Sequence, residues 1–317
     1  MAKNEADIIE AFVRHNLRFL DQLLVIDDGS ADATPAILNS LAAEGLPLKV
    51  LLPREADPSF MQARRTTSLA YHAFDAYGAD YVFPLDADEF LRAPSRDALE
   101  AVLERTTAEV TRLEWQTFVA DPNEAPAHPL HALRWRVEAE KPALPKLVLA
   151  RRVMGERNWH IGRGNHVFYR HAGKDLAWSA GEPLPGIALA HLPFRSPAQL
   201  VAKATVGWLS RRLSYGVADP GTSSWHFRAL FERILAGVPI TPADVRDCAA
   251  AFYVLGRAPL EGETMPVRFI EDPPVAPMPL RYTPEHAVDP LQLLAHWSSV
   301  LVERVLQPTG PQLRDDR

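Results

Sequence analysis

The chain has 317 residues, of which 47% are hydrophobic and 23% are charged, as is typical of a folded globular protein. Its net charge of −6 argues against a nucleic-acid-binding protein, because nothing would offset repulsion from the phosphates. The single cysteine, Cys248, excludes an intramolecular disulfide and favours a reducing compartment. With no signal peptide and no apolar run long enough for a membrane span, we expect a cytoplasmic protein.

The first half of the chain alternates between helical periodicity and short apolar runs. Thr34 and Pro35 predict a helix start, with Thr34 as the N-cap. This alternation predicts an α/β protein with a mostly parallel, Rossmann-like sheet flanked by helices. The other predicted elements are helices at 6–19, 60–77 and 95–105 and strands at 23–27, 48–52 and 81–85.

After residue 110 the pattern changes to strands separated by proline-bearing loops, and then to helices. We predict an α/β domain over 1–196, a helical region over 197–307 and a disordered tail over 308–317. The helical region could be a lid, an acceptor site or a surface for a homodimer. The predicted strands are 110–118, 146–151, 165–170 and 187–194, the helices are 198–213, 225–236, 243–255 and 289–306, and an extended connection covers 259–284.

Two acidic clusters follow predicted strands, Asp27-Asp28 and Asp86-Ala87-Asp88. Ligands of parallel sheets gather at the carboxyl ends of the strands, so we expect both clusters to line one cleft. Carboxylate oxygens suit Mg²⁺ or Mn²⁺. The carboxylate of Asp28 could accept the imide N–H of a uracil base. Each cluster alone is also typical of a solvated turn.

Five motifs in this order resemble the family 2 glycosyltransferases, in particular the subgroup whose acidic motif reads D-x-D-E-F. The resemblance covers roughly residues 3 to 215. The motifs are N-E-A-D at 4–7, V-I-D-D-G-S-A-D-A-T at 25–34, P-L-D-A-D-E-F-L at 84–91, G-N-H at 164–166 and H-L-P-F-R-S at 191–196.

The resemblance implies a GT-A fold and transfer of a sugar from a nucleotide diphosphate, usually with inversion. It also implies roles for individual residues. Glu5 and Asp28 would line the nucleoside site, Asp86 would meet the ribose or the metal, Asp88 would bind the metal, and Gln62 and Arg65 would face the same cleft.

Two departures from the family pattern bear on function. Only residues 1–3 precede the first motif, so we expect the family's first strand to be nearly absent. The Q-x-x-R-W motif of processive synthases has His131 in place of glutamine before Arg134-Trp135. A polymer-extruding synthase is therefore not expected.

An inverting transferase needs a general base that takes the acceptor proton. Asp121 and Glu114 are the candidates, because both follow the acidic motif in the chain. His191 could complete the metal shell through a ring nitrogen, and His166 could bind the diphosphate or the acceptor. The alternative for both histidines is a buried ring bonded to backbone.

Lys146 could contact a phosphate or stand as a solvated strand end. Arg195 and Lys203 flank a predicted helix start, where backbone N–H groups also favour an anion, so either could contact a phosphate or the acceptor.

Taken together, the sequence predicts a Mn²⁺- or Mg²⁺-dependent, inverting transferase that moves a sugar from a UDP-sugar to the hydroxyl of a glycan, a lipid-linked or a small-molecule acceptor. A peripheral association with the inner face of a membrane is compatible with this role. One alternative is a nucleotide-sugar-binding protein without turnover. Another is a haloacid-dehalogenase-type phosphatase with Asp86 as nucleophile, although Phe90 stands where that motif has Thr or Val.

Overall fold

The computed structural model describes residues 1–51, 62–121, 130, 133–138, 145–173, 175–215, 225–254, 268–284 and 298–299. This part of the chain is an α/β protein, as predicted. Its helices are α1 (Ile9–Asn16), α2 (Thr34–Ala43), α3 (Gln62–Ala76), α4 (Arg96–Glu104), α5 (Pro197–Tyr215), α6 (Trp225–Leu235) and α7 (Pro242–Val254). Its strands are β1 (Leu23–Ile26), β2 (Leu48–Leu51), β3 (Tyr81–Val82), β4 (Glu89–Arg92), β5 (Val110–Val119), β6 (Trp135–Val137), β7 (Lys146–Ala150), β8 (Trp159–Ile161), β9 (Phe168–Ala172), β10 (Asp175–Ser179), β11 (Glu182–His191) and β12 (Phe269–Glu271).

The sheets are mixed rather than mostly parallel. β1 and β2 form a parallel pair joined by α2, and β5 and β11 form a second parallel pair at the centre of the larger sheet. The larger sheet runs β12-β6-β5-β11-β4, with β7 on β5 and β3 on β7, and these other pairs are antiparallel. β8, β9 and β10 form a separate antiparallel sheet.

Several short strands escaped the sequence analysis, because three or four residues carry too little periodicity. The most consequential is β4, which begins at Glu89, directly after the acidic motif that we read as a turn. β12 lies inside the predicted extended connection 259–284. The predicted helix 289–306 lies outside the described residues except at 298–299, which are helical, and His131 and the tail 308–317 also lie outside them.

The chain after residue 271 returns to the N-terminal domain. The fully buried carboxylate of Glu10 accepts hydrogen bonds from the backbone N–H groups of Arg281, Tyr282 and Thr283 at 2.8–3.0 Å. Burial alone would raise the pKa of Glu10, but these backbone donors and Arg14 lower it. The region after residue 197 is therefore not only helical. None of the helices that the structure describes is long and apolar enough to cross a membrane.

A cavity of about 620 Å³, lined by apolar and polar residues, separates β1 from β3. Side chains of α1, α3 and α4 line its other walls. Along the β1 edge that faces it, Ala2 forms a single parallel bridge with Asp27. The Ala2 N–H donates to the Ile26 carbonyl at 2.9 Å, and the Asp28 N–H donates to the Ala2 carbonyl at 2.8 Å. Ala2 is thus paired with the chain at the carboxyl end of β1.

Candidate active site

The first two motifs are held together by hydrogen bonds between their loops. The Asn4 N–H donates to Ser30 Oγ at 2.8 Å, and the Ala31 N–H donates to Asn4 Oδ1 at 2.8 Å. Asn4 has a φ of 56°, in the left-handed region that asparagine tolerates better than most residues. Asn4 therefore fixes the position of the acidic loop after β1.

The side chain of Thr34 serves a tertiary contact rather than the predicted N-cap. Its hydroxyl oxygen accepts a hydrogen bond from the Glu5 N–H at 2.9 Å. The carboxylate of Asp32 accepts from the Thr34 N–H at 2.9 Å and from the Ala6 N–H at 3.0 Å. The cap prediction was wrong because the threonine hydroxyl and the aspartate carboxylate both accept from the neighbouring loop.

Asp28 and Arg65 were both predicted to face the nucleotide, and the structure pairs them with each other. The buried Asp28 carboxylate contacts the Arg65 guanidinium on α3, and Lys3 Nζ lies 3.7 Å from its other oxygen. Burial lowers the pKa of Arg65. The acidic loop after β1 is thus anchored to the first turn of α3.

The first acid of the D-x-D motif, Asp86, engages both carboxylate oxygens. Oδ1 accepts from Gln62 Nε2 at 2.8 Å, and Oδ2 accepts from Lys146 Nζ at 2.5 Å. Burial alone would raise the pKa of Asp86, but Lys146 outweighs it and the pKa is lowered. Lys146 has a fully buried side chain, so the interpretation as a solvated strand end was wrong.

Gln62 and Arg65 occupy the same turn of α3, three residues apart, and such residues lie on one face of a helix. Gln62 contacts Asp86 and Arg65 contacts Asp28. The two acidic clusters therefore meet across one helical turn, as the sequence analysis expected. Gln62 Oε1 also accepts from the Gly164 N–H at 2.9 Å, which draws the G-N-H motif, the fourth, to the same place.

Within that fourth motif, His166 is half-buried. Its Nδ1 lies 2.9 Å from the Pro145 carbonyl, and its ring meets the Trp115 ring edge-on at 5.1 Å. Burial, assisted by the charge of Lys146, lowers the pKa of His166 to about 4, so the ring is neutral at pH 7. A ring bonded to backbone is the alternative that the sequence analysis gave to a role in binding the diphosphate or the acceptor.

The second acid of the motif, Asp88, faces a different set of groups. Oδ2 accepts from Lys203 Nζ at 2.8 Å, and His191 Nε2 lies 3.8 Å from Oδ1. Burial would raise the pKa of Asp88, but Lys203 and His191 lower it. Burial lowers the pKa of His191 to about 3, and its neutral ring stacks on Trp115 at 4.2 Å.

Asp88 and His191 could ligate a divalent cation whose other ligands come from a substrate. Asp88 Oδ1 and His191 Nε2 face each other across a gap too long for a hydrogen bond, and a neutral imidazole can ligate a metal. Asp86 does not join them: no three His, Cys, Asp or Glu side chains of the described residues form a metal-binding group. Mg²⁺ commonly takes one or two carboxylates and completes its shell with water and substrate phosphates.

Glu89, the next residue of the motif, is a structural member of the site that the sequence analysis missed. It is fully buried and accepts from Trp115 Nε1 at 2.8 Å, from the Asp86 N–H at 2.9 Å, and from Lys146 at 3.0 Å. Burial raises the pKa of Glu89 to about 8. The glutamate of D-x-D-E-F was the available signal, because Glu89 holds the turn that presents both aspartates.

Arg195 was considered for a phosphate or acceptor contact, but its guanidinium is committed to the first motif. It is buried, binds Asp7 through two hydrogen bonds at 2.8 and 2.9 Å, and contacts Glu5 Oε2 at 2.5 Å. Burial outweighs this pairing and raises the pKa of Glu5 to about 7. Glu5 therefore reaches the site as the partner of Arg195.

The two candidate bases lie in different surroundings. Glu114 is exposed on β5, and neighbouring residues of a strand point to opposite faces, so it points away from the face on which Trp115 meets His191. The structure does not bring Glu114 into the site. Asp121 follows the carboxyl end of β5 and is half-buried. Because His191 pairs with Thr117 near that end, Asp121 stays the candidate base.

Residues 1–141 match the model of the family described as glycosyl transferase family 2. A search of curated proteins found no significant match. A solved structure of S. aureus TarS 1-349 in complex with UDP aligns with 78% of this chain and 84% of its own at 10% identity, with a TM-score of 0.37. A likeness at this TM-score supports no conclusion about this chain.

The family match covers the first, second and D-x-D motifs, whereas Lys146, His166, His191 and Lys203 lie beyond it. It favours a transferase over a phosphatase, and it confirms the expected GT-A-type α/β class. Over residues 1–141, the chain is similar to glycosyl transferase family 2.

Proposed function

We propose that the protein is a Mn²⁺- or Mg²⁺-dependent transferase that moves a sugar from a UDP-sugar to an acceptor hydroxyl with inversion. One observation carries this proposal. The first turn of α3 binds Asp28 through Arg65 and Asp86 through Gln62, so the acidic clusters of two separate motifs line one place. A nucleoside diphosphate is a ligand that two such clusters, one for the nucleoside and one for the phosphates, would suit.

In this proposal Asp28 reads the base. A carboxylate that accepts the imide N–H of uracil forms a charge-assisted hydrogen bond, and cytosine offers no such donor at that position. Arg65 holds the Asp28 carboxylate in place, and Asp86, positioned by Gln62 and Lys146, accepts from the ribose. Glu5, positioned by Arg195, lines the nucleoside site.

Asp88 and His191 would hold the cation. A divalent cation on the diphosphate stabilises the negative charge that the leaving group gains as the glycosidic bond breaks. The protein's own contribution is to keep the Asp88 carboxylate ionised and the His191 ring neutral. Both conditions follow from the lowered pKa of each group.

Asp121 would take the proton of the acceptor hydroxyl in a single displacement, which inverts the anomeric centre. The parallel pairing of β5 and β11 supports this role, because Asp121 follows the carboxyl end of β5 and His191 ends β11. The acceptor would be a glycan, a lipid-linked or a small-molecule hydroxyl. The single cysteine favours a cytoplasmic location, with peripheral membrane association if the acceptor is lipid-linked.

Isothermal titration with UDP, CDP and ADP, each with and without Mn²⁺, tests this proposal. We expect UDP to bind most tightly, and only with Mn²⁺. Asp28→Asn should reduce the preference for UDP over CDP, because the amide presents a donor as well as an acceptor, whereas the exposed Asp97→Asn should leave it unchanged. Equal affinity for all three nucleotides would contradict the role of Asp28, and no binding of any would contradict the proposed donor.

A further inference from the structure

The two carboxylates of the D-x-D motif each carry a lysine. Lys146 Nζ lies 2.5 Å from Asp86 Oδ2, and Lys203 Nζ lies 2.8 Å from Asp88 Oδ2. Lysine is rare in this chain, with only six among 34 basic residues, so two at one motif are noteworthy. Two ammonium groups match two carboxylates in charge before any ligand enters.

The two lysines are held very differently. The side chain of Lys146 is 0% exposed, is fixed on β7, contacts Asp86 and Glu89, and lies over the Trp115 ring. The side chain of Lys203 is 29% exposed and reaches Asp88 from α5. Lys146 is locked into the core, whereas Lys203 stands at the solvent side on a flexible four-carbon stem.

The ammonium group of Lys203 also has favourable contacts other than Asp88. Its Nζ lies 3.1 Å from the Pro193 carbonyl and 5.7 Å from the centre of the Phe194 ring. The ammonium can therefore leave Asp88 without losing every favourable contact. Its departure would release Oδ2 while the other oxygen of Asp88 already faces His191.

A divalent cation at Asp88 and an ammonium on the same carboxylate repel each other, and the repulsion is strong at such short range. A cation that arrives alone must therefore displace Lys203 without compensation. A cation that arrives with a diphosphate brings anionic oxygens, which an ammonium binds well.

Resting on the proposed function, we propose that Lys203 is an exchangeable counter-ion of Asp88: it holds the carboxylate in the free protein and passes to a phosphate oxygen of the donor when the metal binds. No covalent bond changes in this exchange. Its consequence is that the metal and the nucleotide enter together, because Lys203 opposes the metal alone and favours the pair.

The test is the affinity for Mn²⁺ alone, measured by electron paramagnetic resonance of the free ion, and the affinity for UDP at saturating Mn²⁺, measured calorimetrically. We expect Lys203→Met to tighten the binding of Mn²⁺ alone by on the order of tenfold, since a nearby positive charge is removed. It should weaken UDP binding at saturating Mn²⁺ by on the order of tenfold, since a charge-assisted hydrogen bond is lost. A lysine that only supported the fold would not move the two affinities in opposite directions.

Two controls isolate the charge at this position. Lys203→Arg keeps the charge and should keep Mn²⁺ binding weak, and Lys49→Met removes a charge from an exposed site on β2 and should change neither affinity. Thermal unfolding establishes that each variant is folded. The inference is overturned if folded Lys203→Met binds Mn²⁺ alone no more tightly than the original protein while UDP still binds with Mn²⁺. If the original protein binds no UDP at all, the proposed function fails instead.

Discussion

β1 and β3 are connected by side chains at their carboxyl ends but are separated along their length. At their carboxyl ends, Gln62, Arg65 and Lys146 join the acidic loops through ion pairs and hydrogen bonds. Along their length, a cavity of about 620 Å³ separates them. The site is therefore held by side chains from α3, β7 and α5 rather than by a continuous sheet.

This difference teaches which substitutions should matter. At the polar end, each charged group is buried or half-buried against a partner, so removal of one leaves another uncompensated. At the cavity, side chains lack neighbours, so added volume should be tolerated. Four substitutions, in order of decreasing expected effect, test this contrast.

The largest effect is expected for Arg195→Met. The change leaves the carboxylates of Asp7 and Glu5 buried without their partner, so the free energy of unfolding should fall by about 3–5 kcal/mol. Urea unfolding measures it. The matched control is Arg157→Met, which removes an exposed ion pair with Asp75 and should leave the free energy of unfolding almost unchanged. Equal losses of stability in the two variants would mean that a buried ion pair contributes no more than an exposed one.

The next effect concerns ligand binding. Asp88→Asn should weaken UDP binding in the presence of Mn²⁺ by about 100-fold, or about 2.7 kcal/mol, because a neutral amide is a poor ligand for a hard cation. Calorimetry measures it, with the exposed Asp97→Asn as control. Unchanged affinity in a folded Asp88→Asn variant would remove Asp88 from the metal site.

The third effect is a pH dependence. The pKa of His166 is lowered to about 4 in the folded protein, so between about pH 6.5 and pH 4 the unfolded chain binds a proton that the folded protein does not. Stability should therefore fall as the pH falls through this window. His166→Gln should reduce that fall by about 2 kcal/mol, measured by urea unfolding at both ends of the window. Parallel curves for the two proteins would place His166 in solvent.

The smallest effect is expected at the cavity. Ala73 on α3 lines it, so Ala73→Leu should fill part of the space and raise the free energy of unfolding by about 1 kcal/mol. The same change at Ala249, which is fully buried among the packed helices of the C-terminal region, should instead cost about 1–3 kcal/mol. Loss of stability at Ala73 would show that the cavity walls are closer than the structure places them.

The sequence by itself determined the α/β class, the long helices and strands, the resemblance to glycosyl transferase family 2, and the meeting of the Asp28 and Asp86 motifs. Apolar periodicity sets the elements, and strand ends carry the acids, so both follow from local pattern. It failed at β4 and at the mostly parallel sheet, because strand direction depends on which partner a strand meets. The domain boundary at residue 196 stays a prediction, although residues 281–283 return to Glu10.

The partners of each charge were decided only by tertiary structure. Sequence analysis placed Lys146, Arg195 and Lys203 near an anion, but which carboxylate each would meet depends on contacts more than 100 residues apart for Arg195 and Lys203. Likewise Glu114 and Trp115 are neighbours in the chain, but their side chains point to opposite faces of β5, and only that of Trp115 reaches the site. A side chain's chemistry is local, whereas its desolvation and its counter-ion are set by the fold, and these decide what each residue can do.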